Sequence, residues 1–194
     1  MKVIIVDLET GNLNPAFNNF QLENCLICEI GVSRLDLDSG KVDLLVDSVC
    51  REKEMCHPSS WVFQNTSLTP GEVETAVQLD DLRDPLQGLF DLGLPVTSWG
   101  HDFDLRLLEH CSRGFRVHVR FWDPLTTLAG YLKIPNPSGG YKWPSVEEAH
   151  QILFPGKSYS RSHRAGVDAV VEARIIYMAT RRWPELGEDW GSYL

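Results

Sequence analysis

The sequence predicts an α/β domain in which helices flank a mixed five-stranded sheet. Two observations support this fold class. Near the N-terminus, apolar runs rich in β-branched residues follow one another and are separated by turn sequences. Farther along the chain, strand-like and helix-like segments alternate, as they do in sheets covered by helices. With 194 residues, 43% of them hydrophobic, the chain is long enough for one well-buried core and short for two full domains.

The first three strands are predicted near the N-terminus. Residues 3–6 are a β-branched apolar run that ends at Asp7, so we expect a buried strand with an acidic residue at its carboxyl end. Residues 24–35 and 41–50 have the pattern of two further strands. The turn sequence at 38–40 joins these two strands into a hairpin.

The first predicted helix begins after Thr69. This residue is a capping residue, a proline follows it, and Glu72 lies three residues beyond it, which is the arrangement of a capping box. Residues 80–92 also have a helical pattern. We expect this second helix to be broken near Pro85 and Gly88, because proline and glycine disfavour a helix interior.

Strands and helices alternate in the second half of the chain. The predicted elements are a strand at 94–99, a helix at 101–111, a strand at 117–122, a helix at 124–132, a loop at 134–144, a helix that begins with the capping sequence at 145–148 and ends near residue 154, and a long helix at 164–182. The residues expected on the apolar side of the long helix are Val167, Val170, Val171, Ile175 and Met178. No strong pattern follows, so we expect a folded domain at 1–182 and a C-terminal tail at 183–194.

Charge and composition narrow the functional classes. The net charge is -9, yet residues 1–104 hold 6 basic and 18 acidic residues, whereas residues 105–194 hold 12 basic and 9 acidic residues. An acidic protein attracts nucleic acid poorly at long range, so nucleic acid would have to be bound locally and through metal. The first residues lack the apolar segment of a signal peptide or membrane span, and the cysteine count of five is odd. We therefore expect reduced thiols, a cytoplasmic location and no membrane partner.

Asp7 and Glu9 are the first candidate metal ligands. They lie two residues apart at a strand end, where strand alternation points both side chains to the same face. Paired carboxylates suit Mg²⁺ or Mn²⁺. A D-x-E sequence occurs by chance about once in a chain of this composition, so the position after the most apolar strand is what favours metal binding over a solvated strand end.

Three further residues stand at element boundaries. Asp104 lies in the first turn of a predicted helix, where an acid also stabilises the helix dipole. His163 and Asp168 flank the start of the long helix, and a single histidine at such a place is usually a surface or capping residue. Taken together, the four acids and the histidine can converge on one edge of the sheet. Two divalent cations held there could hydrolyse a phosphodiester, with the histidine accepting a proton from water.

These motifs and their order resemble the DEDDh branch of the DEDD exonuclease superfamily, which has an RNase H-like fold. The three matching motifs are D-x-E followed by threonine at 7–10, Phe103-Asp104, and the histidine and aspartate of 163–168. Lesser similarities lie at 28–31, 65–70 and 121–125. The tyrosine branch of the superfamily would have tyrosine at position 164, where this chain has arginine. The resemblance covers roughly residues 1–180.

The resemblance implies a 3′-to-5′ exonuclease that uses two Mg²⁺ or Mn²⁺ ions to release nucleoside monophosphates from a DNA 3′ end. The implied metal ligands are Asp7, Glu9, Asp104 and Asp168, of which Asp7 would reach both ions and Asp104 would act partly through water. The implied general base is His163. The implied contacts to the terminal nucleotide are Leu8, Thr10 and Phe103. The expected partners are single-stranded nucleic acid or duplex 3′ ends.

Several alternatives stay open. The substrate could be RNA trimmed from its 3′ end, and a non-catalytic nucleic-acid-binding module of the same fold is a third interpretation. Asp102 is a rival to Asp104. The usual glycine before the first helix is replaced around 67–68, and Gly100 stands where the usual asparagine precedes the second motif. Trp143, on its loop, could stack on a base.

Zinc binding by cysteines is the remaining alternative. Cys25 and Cys28 have the C-x-x-C spacing, and Cys50 and the pair at 56–57 could complete a zinc site. The first two cysteines fall within a predicted strand, however, where residues three apart face opposite sides. We therefore expect no joint zinc ligation.

Overall fold

The computed structural model describes residues 1–14, 21–110, 113–157, 159 and 162–188. Its centre is a five-stranded sheet with the strand order β4-β3-β2-β1-β5. The strands are β1 Lys2–Asn12, β2 Cys25–Asp36, β3 Val42–Arg51, β4 Val77–Gln78 and β5 Val96–Thr97. β1 and β3 pair with β2 in antiparallel fashion, whereas β5 pairs with β1 and β4 pairs with β3 in parallel. The predicted α/β class and mixed five-stranded sheet are confirmed.

Helices cover this sheet. Those of the described residues are α1 Trp61–Asn65, α2 Pro70–Thr75, α3 Arg83–Phe90, α4 Asp104–Glu109, α5 Pro124–Leu132, α6 Val146–Leu153, α7 Ala165–Arg182 and α8 Glu185–Glu188, and a 3-10 turn spans Leu79–Leu82. Both predicted capping boxes are present, at Thr69 with Glu72 and at Ser145 with Glu148. One apolar cluster packs on each side of the sheet. Among the described residues, no helix is long and apolar enough to cross a membrane.

The predicted strand at 117–122 is wrong. This segment is joined to the sheet by a single isolated β-bridge, between Arg120 and Val96. Val96 donates to the carbonyl of Val119 at 2.9 Å and accepts from the amide of Phe121 at 2.8 Å, and the chain then enters α5. The fifth strand is β4 instead, whose two residues pair with the end of β3 at the opposite edge.

Two helices differ from their sequence-based predictions, one in its continuity and one in its first residue. α3 runs through Pro85 and Gly88 without a break, because Pro85 lies in the first turn, where a missing amide removes no intrahelical hydrogen bond. α4 begins at Asp104 and not at residue 101, because residues 100–103 form a turn in which Phe103 donates to the carbonyl of Gly100 at 2.9 Å. Residue 111, at the predicted end of this helix, lies outside the described residues.

The long helix α7 lies on the sheet and packs mainly on β2 and β1. Its start touches β2 closely: a Cβ atom on Gly31 would lie 2.0 Å from the carbonyl oxygen of Ala165. Ser33 donates to the carbonyl of Ala169 at 2.8 Å. Val167 is exposed, contrary to the predicted apolar side, because the buried side also contains the acids at 168 and 172.

The segment after residue 182 was predicted as a tail. Its first residues form α8. Leu186 of this helix packs in the apolar cluster that also contains Trp122 and Ile176. Trp122 donates its indole hydrogen to the carbonyl of Leu186 at 2.8 Å. Residues 189–194 lie outside the described part of the chain.

Candidate active site

Asp7 and Glu9 lie on β1 where this strand passes the end of β5. β1 pairs with β5 at Ile4 and Ile5, so the two acids lie beyond the carboxyl end of the parallel pair. This is the edge at which ligand sites form in sheets of this kind. Both carboxylates are buried. The sequence predicted that the strand ends at Asp7, but the strand continues to Asn12. The two acids therefore lie within the strand, and the hydrogen bonds between β1 and β2 hold the backbone on both sides of them.

A cleft of about 320 Å³ opens at this edge of the sheet. Seven of the eight predicted site residues line it: Asp7, Leu8, Glu9, Thr10, Phe103, Asp104 and His163. The other lining residues are Trp61, Trp99, Gly100 and Leu125. The eighth predicted residue, Asp168, is fully buried and reaches the same place from α7. The fold therefore brings all the predicted residues together.

Glu9, His163 and Asp168 form the tightest group. One potential ligand atom from each lies within 4.8 Å of the other two. Nδ1 of His163 is 3.9 Å from Oε1 of Glu9. The backbone of His163 is left-handed, with φ of 49°, a conformation that costs energy for a non-glycine residue and is often found at functional sites. This conformation turns the residue into the cleft just before α7 begins.

Asp168 is oriented by two hydroxyl groups. Tyr159 donates to its Oδ1 atom at 2.7 Å, and Ser162 donates to the same atom at 3.1 Å. Two donors on one carboxylate oxygen fix the rotamer of the side chain. Neither hydroxyl was assigned a role from the sequence, because neither belongs to a motif.

The donor set fits a hard divalent cation. Asp7, Glu9, Asp104 and Asp168 are all buried, and closely spaced buried carboxylates repel one another unless positive charge lies between them. Ligand atoms of Mg²⁺ lie about 2.0–2.1 Å from the ion. One carboxylate oxygen of Glu9 lies within 4.8 Å of one of Asp168, so these two carboxylates need to close by less than about 1 Å to share one ion. Carboxylate oxygens are the ligands that Mg²⁺ and Mn²⁺ prefer.

Several solved structures have this architecture. The nuclease domain of 3′hExo, a DEDDh family member, bound to rAMP, matches 94% of this chain and 92% of its own at 15% identity and a TM-score of 0.66. A full-length 3′-exonuclease matches 93% of this chain and 60% of its own at 16% identity and a TM-score of 0.66. E. coli exonuclease I in complex with a dT13 oligonucleotide matches 96% of this chain and 42% of its own at 15% identity and a TM-score of 0.67.

The chain has the fold of these solved exonucleases. The resemblance drawn from the motifs is thereby confirmed for the fold, and the RNase H-like class with it. No family model matches the sequence, and no curated protein sequence matches it significantly. The chain spans less than two thirds of the full-length 3′-exonuclease and of exonuclease I.

Within this fold, an ion pair with a buried carboxylate supports the His163 loop. Arg164 contacts both carboxylate oxygens of Glu29, with its Nε atom at 2.8 and 3.1 Å and a terminal nitrogen at 2.7 Å. The amide of Ala165, at the start of α7, donates to the same carboxylate at 3.1 Å. The hydrogen bond to Glu29 raises the pKa of Arg164. Glu29 was noted in the sequence only as part of a minor similarity at 28–31, and its role comes from the structure.

Burial distinguishes the two candidate aspartates of the second motif. Asp104 is buried and lines the cleft, whereas Asp102 is exposed and does not. Both lie next to Phe103, which turns the chain into α4. The geometry therefore favours Asp104 over its rival.

Two aromatic residues that the sequence did not single out shape the cleft. Trp61, at the start of α1, is 54% exposed and packs edge-to-face on His163 with the ring centroids 5.1 Å apart. Trp99 is buried and donates to the carbonyl of Pro144 at 3.1 Å, which ties the cleft to the loop that carries Trp143. No sequence signal separates these tryptophans from core residues.

Among the described residues, no cysteine belongs to a group of three or more metal-ligating side chains. The one group of metal-ligating side chains found among those residues is Glu9, His163 and Asp168. Cys25, Cys28, Cys50 and Cys56 are buried thiols. His57 bonds instead to the hydroxyl of Ser59, at 2.7 Å.

Proposed function

We propose that the protein is a metal-dependent 3′-to-5′ exonuclease that hydrolyses the terminal phosphodiester bond of DNA and releases nucleoside monophosphates. The observation that carries the proposal is the convergence of Glu9, His163 and Asp168 within 4.8 Å in a cleft that also contains Asp7 and Asp104. The likeness to solved 3′-exonucleases supports the same chemistry.

The acidic residues would hold the metal. Asp7, Glu9 and Asp168 would bind one ion, Asp7 would reach a second, and Asp104 would act partly through water. When bound, two Mg²⁺ or Mn²⁺ ions would activate the attacking water and stabilise the leaving oxygen.

His163 would act as the general base. Its ring lines the cleft, and the packing of Trp61 against it restricts its orientation. The ring would accept the proton of the attacking water, and the carboxylate of Glu9, 3.9 Å from Nδ1, would stabilise the imidazolium that forms.

The terminal nucleotide would occupy the remainder of the cleft. Leu8, Thr10 and Phe103 line it beside the carboxylates, and these residues would contact the sugar and base. The volume of about 320 Å³ lies in the range of small-ligand sites, roughly 300–1,000 Å³. The strand would reach the cleft as single-stranded nucleic acid or as the frayed end of a duplex.

RNA is the second candidate substrate. The 3′hExo nuclease domain, of which this chain covers 92%, is described as bound to rAMP, whereas exonuclease I is described in complex with a dT13 oligonucleotide. Their TM-scores, 0.66 and 0.67, do not separate the two. Discrimination would depend on contacts to the 2′-hydroxyl.

The test is digestion of matched DNA and RNA strands, each labelled at the 5′ end, with Mg²⁺ or Mn²⁺. A 3′-to-5′ exonuclease shortens the labelled strand stepwise, and a phosphorothioate at the last 3′ linkage slows the first step. Asp7→Ala and Asp168→Ala are expected to abolish shortening. Full activity in either variant, or the absence of shortening by a wild-type protein that binds the strand, would overturn the proposal, and the latter would favour the non-catalytic binding module.

A further inference from the structure

Cys28 and Cys56 lie in direct contact beside Gly11, near the end of the strand that carries Asp7 and Glu9. Their Sγ atoms are 3.1 Å apart, and both residues are buried. Cys28 is the extra residue of the β2 bulge opposite Glu9 and Thr10, and Cys56 lies in the segment between β3 and α1. A disulfide bond is roughly 2.05 Å long, so the two sulfur atoms need to approach by only about 1 Å.

The surrounding backbone holds the two sulfur atoms together. A Cβ atom on Gly11 would lie 2.6 Å from the Sγ atom of Cys56 and 3.1 Å from that of Cys28, so the glycine leaves the space in which they meet. The amide of His57 donates to the carbonyl of Asn12 at 2.7 Å. The segment that carries Cys56 is therefore anchored to β1. The folded backbone itself holds the two thiols in contact.

Cys56 is the more accessible thiol of the pair, because it is 8% exposed whereas Cys28 has no exposed surface. It lines a cavity of about 240 Å³ whose walls include Met55 and Phe63, and Met55 is exposed. The hydrogen bond from Cys28 lowers the pKa of Cys56, against the effect of burial. By contrast, burial raises the pKa of Cys50 to about 12. Thiolate character and access are what make a cysteine reactive.

We propose that Cys28 and Cys56 form a reversible intramolecular disulfide when the protein is exposed to a peroxide. The Cys56 thiolate attacks one peroxide oxygen, which forms an S–O bond and breaks the O–O bond; the other oxygen takes up a proton and leaves as water. The Cys28 sulfur then attacks the Cys56 sulfenic sulfur, the S–S bond forms, the S–O bond breaks, and a second water leaves with the Cys28 proton. Two thiols are oxidised by two electrons, and one hydrogen peroxide is reduced to two waters.

The disulfide would link two segments 28 residues apart in the chain. A cross-link of that loop length restricts the unfolded chain, and because the thiols already touch, the folded state needs little adjustment. The oxidised protein is therefore expected to melt roughly 5–10 °C higher than the reduced protein. Addition of dithiothreitol returns the melting temperature to its reduced value.

The experiment treats the full chain with hydrogen peroxide, blocks the remaining thiols by alkylation, and maps peptides without reduction. The expected product is a linked pair of peptides that contain Cys28 and Cys56, lighter than the two free peptides by two hydrogen atoms. Recovery of both cysteines in alkylated form, or linkage of either one to a different cysteine, would overturn the proposal. This measurement uses the wild-type protein and does not depend on the folding of a variant.

Variants supply the matched control. Cys56→Ser is expected to remove the linked peptide and the rise in melting temperature. Cys50→Ser, which replaces a thiol that is also buried but donates to the carbonyl of Ile27 at 3.8 Å, is expected to keep both. An oxidation-dependent rise in Cys56→Ser equal to that of the wild type would assign the stabilisation to another modification.

Discussion

Arg164 forms a bidentate ion pair with Glu29, a carboxylate with no exposed surface. The two residues are 135 positions apart in the chain, and the pair joins β2 to the residue that follows His163. The same carboxylate accepts from the amide of Ala165 at the start of α7. One buried group thereby fixes the histidine loop and the helix that carries Asp168 with respect to the sheet.

Arg164→Met is expected to lower the free energy of unfolding by about 3 kcal/mol, because it leaves the buried Glu29 carboxylate without its cation. This loss of stability is at the lower end of the range for buried pairs because the arginine side chain is 32% exposed. Urea unfolding measures it. The matched control is Arg34→Met, which breaks an ion pair with Asp43 whose side chains are 33% and 29% exposed and should cost about 0–1 kcal/mol. Equal losses in the two variants would contradict the structural role of the Glu29 pair.

Gly31→Ala is expected to displace the start of α7. The added Cβ atom would lie 2.0 Å from the carbonyl oxygen of Ala165, and backbone cannot yield as a flexible side chain can. We expect a loss of about 1–3 kcal/mol in the free energy of unfolding together with loss of activity, since Asp168 lies on the same helix. Gly88→Ala is the control: it lies within α3 with nothing within 4 Å of the new atom and should stabilise by about 0.5–1 kcal/mol. A tolerated Gly31→Ala would mean that the helix and strand are less closely packed than described.

A divalent cation is expected to stabilise the folded protein. An ion bound by the folded state alone adds about 2.7 kcal/mol at a concentration of 100 Kd, so the melting temperature after chelator treatment should rise as Mn²⁺ is added. Asp168→Asn should suppress that rise, because it removes a ligand charge, and should itself be close to wild type in stability without metal, since it relieves carboxylate repulsion. The same metal-dependent rise in Asp168→Asn would place the ion elsewhere.

The variants Asp104→Asn and Asp102→Asn test which aspartate of the second motif acts in the candidate site. Asp104 is buried in the cleft, whereas Asp102 is exposed outside it. We expect Asp104→Asn to lower kcat by at least about 100-fold, more than is usual for residues that only support a metal ligand, and Asp102→Asn to stay near the wild-type rate. Steady-state rates of strand shortening at saturating Mg²⁺ measure both. The reverse ranking would reassign the motif to Asp102.

The residues that meet at the cleft were located from the sequence more fully than the strands of the sheet were. Asp7 and Glu9 follow from strand alternation, and His163 and Asp168 follow from the motif at the start of a long helix, because both signals lie within a few residues. The segment at 117–122 also alternates as a strand does, but its partner β5 has only two residues, so a single bridge forms. A local pattern does not reveal how much partner strand is available.

The supporting residues could not be found from local patterns. Glu29 meets Arg164 across 135 positions, and Tyr159 reaches Asp168 from a loop. Such contacts depend on how the helices pack on the sheet, which sequence periodicity does not encode. The exposed Val167 shows the same limitation, since the buried side of α7 is set by two acids that a hydrophobic pattern treats as solvent-facing.

Trp61 gives the last prediction, which concerns substrate binding. It is 54% exposed, lines the cleft and packs edge-to-face on His163, so its open face is available to a nucleobase. Stacking of one base on an aromatic side chain contributes about 1–3 kcal/mol, and Trp61→Ala should therefore raise the KM for a single strand by about 5- to 150-fold. Trp61→Phe, which keeps an aromatic face, should recover most of that loss.

Trp143→Ala is the control for this effect. Trp143 is 64% exposed but does not line the cleft, so its removal should change KM less than removal of Trp61. If Trp61→Ala lowers kcat and leaves KM unchanged, the tryptophan acts by holding His163 and does not stack on a base. If both variants raise KM equally, the strand continues past the cleft over the loop at 134–144, because each aromatic face would then bind a nucleotide of its own.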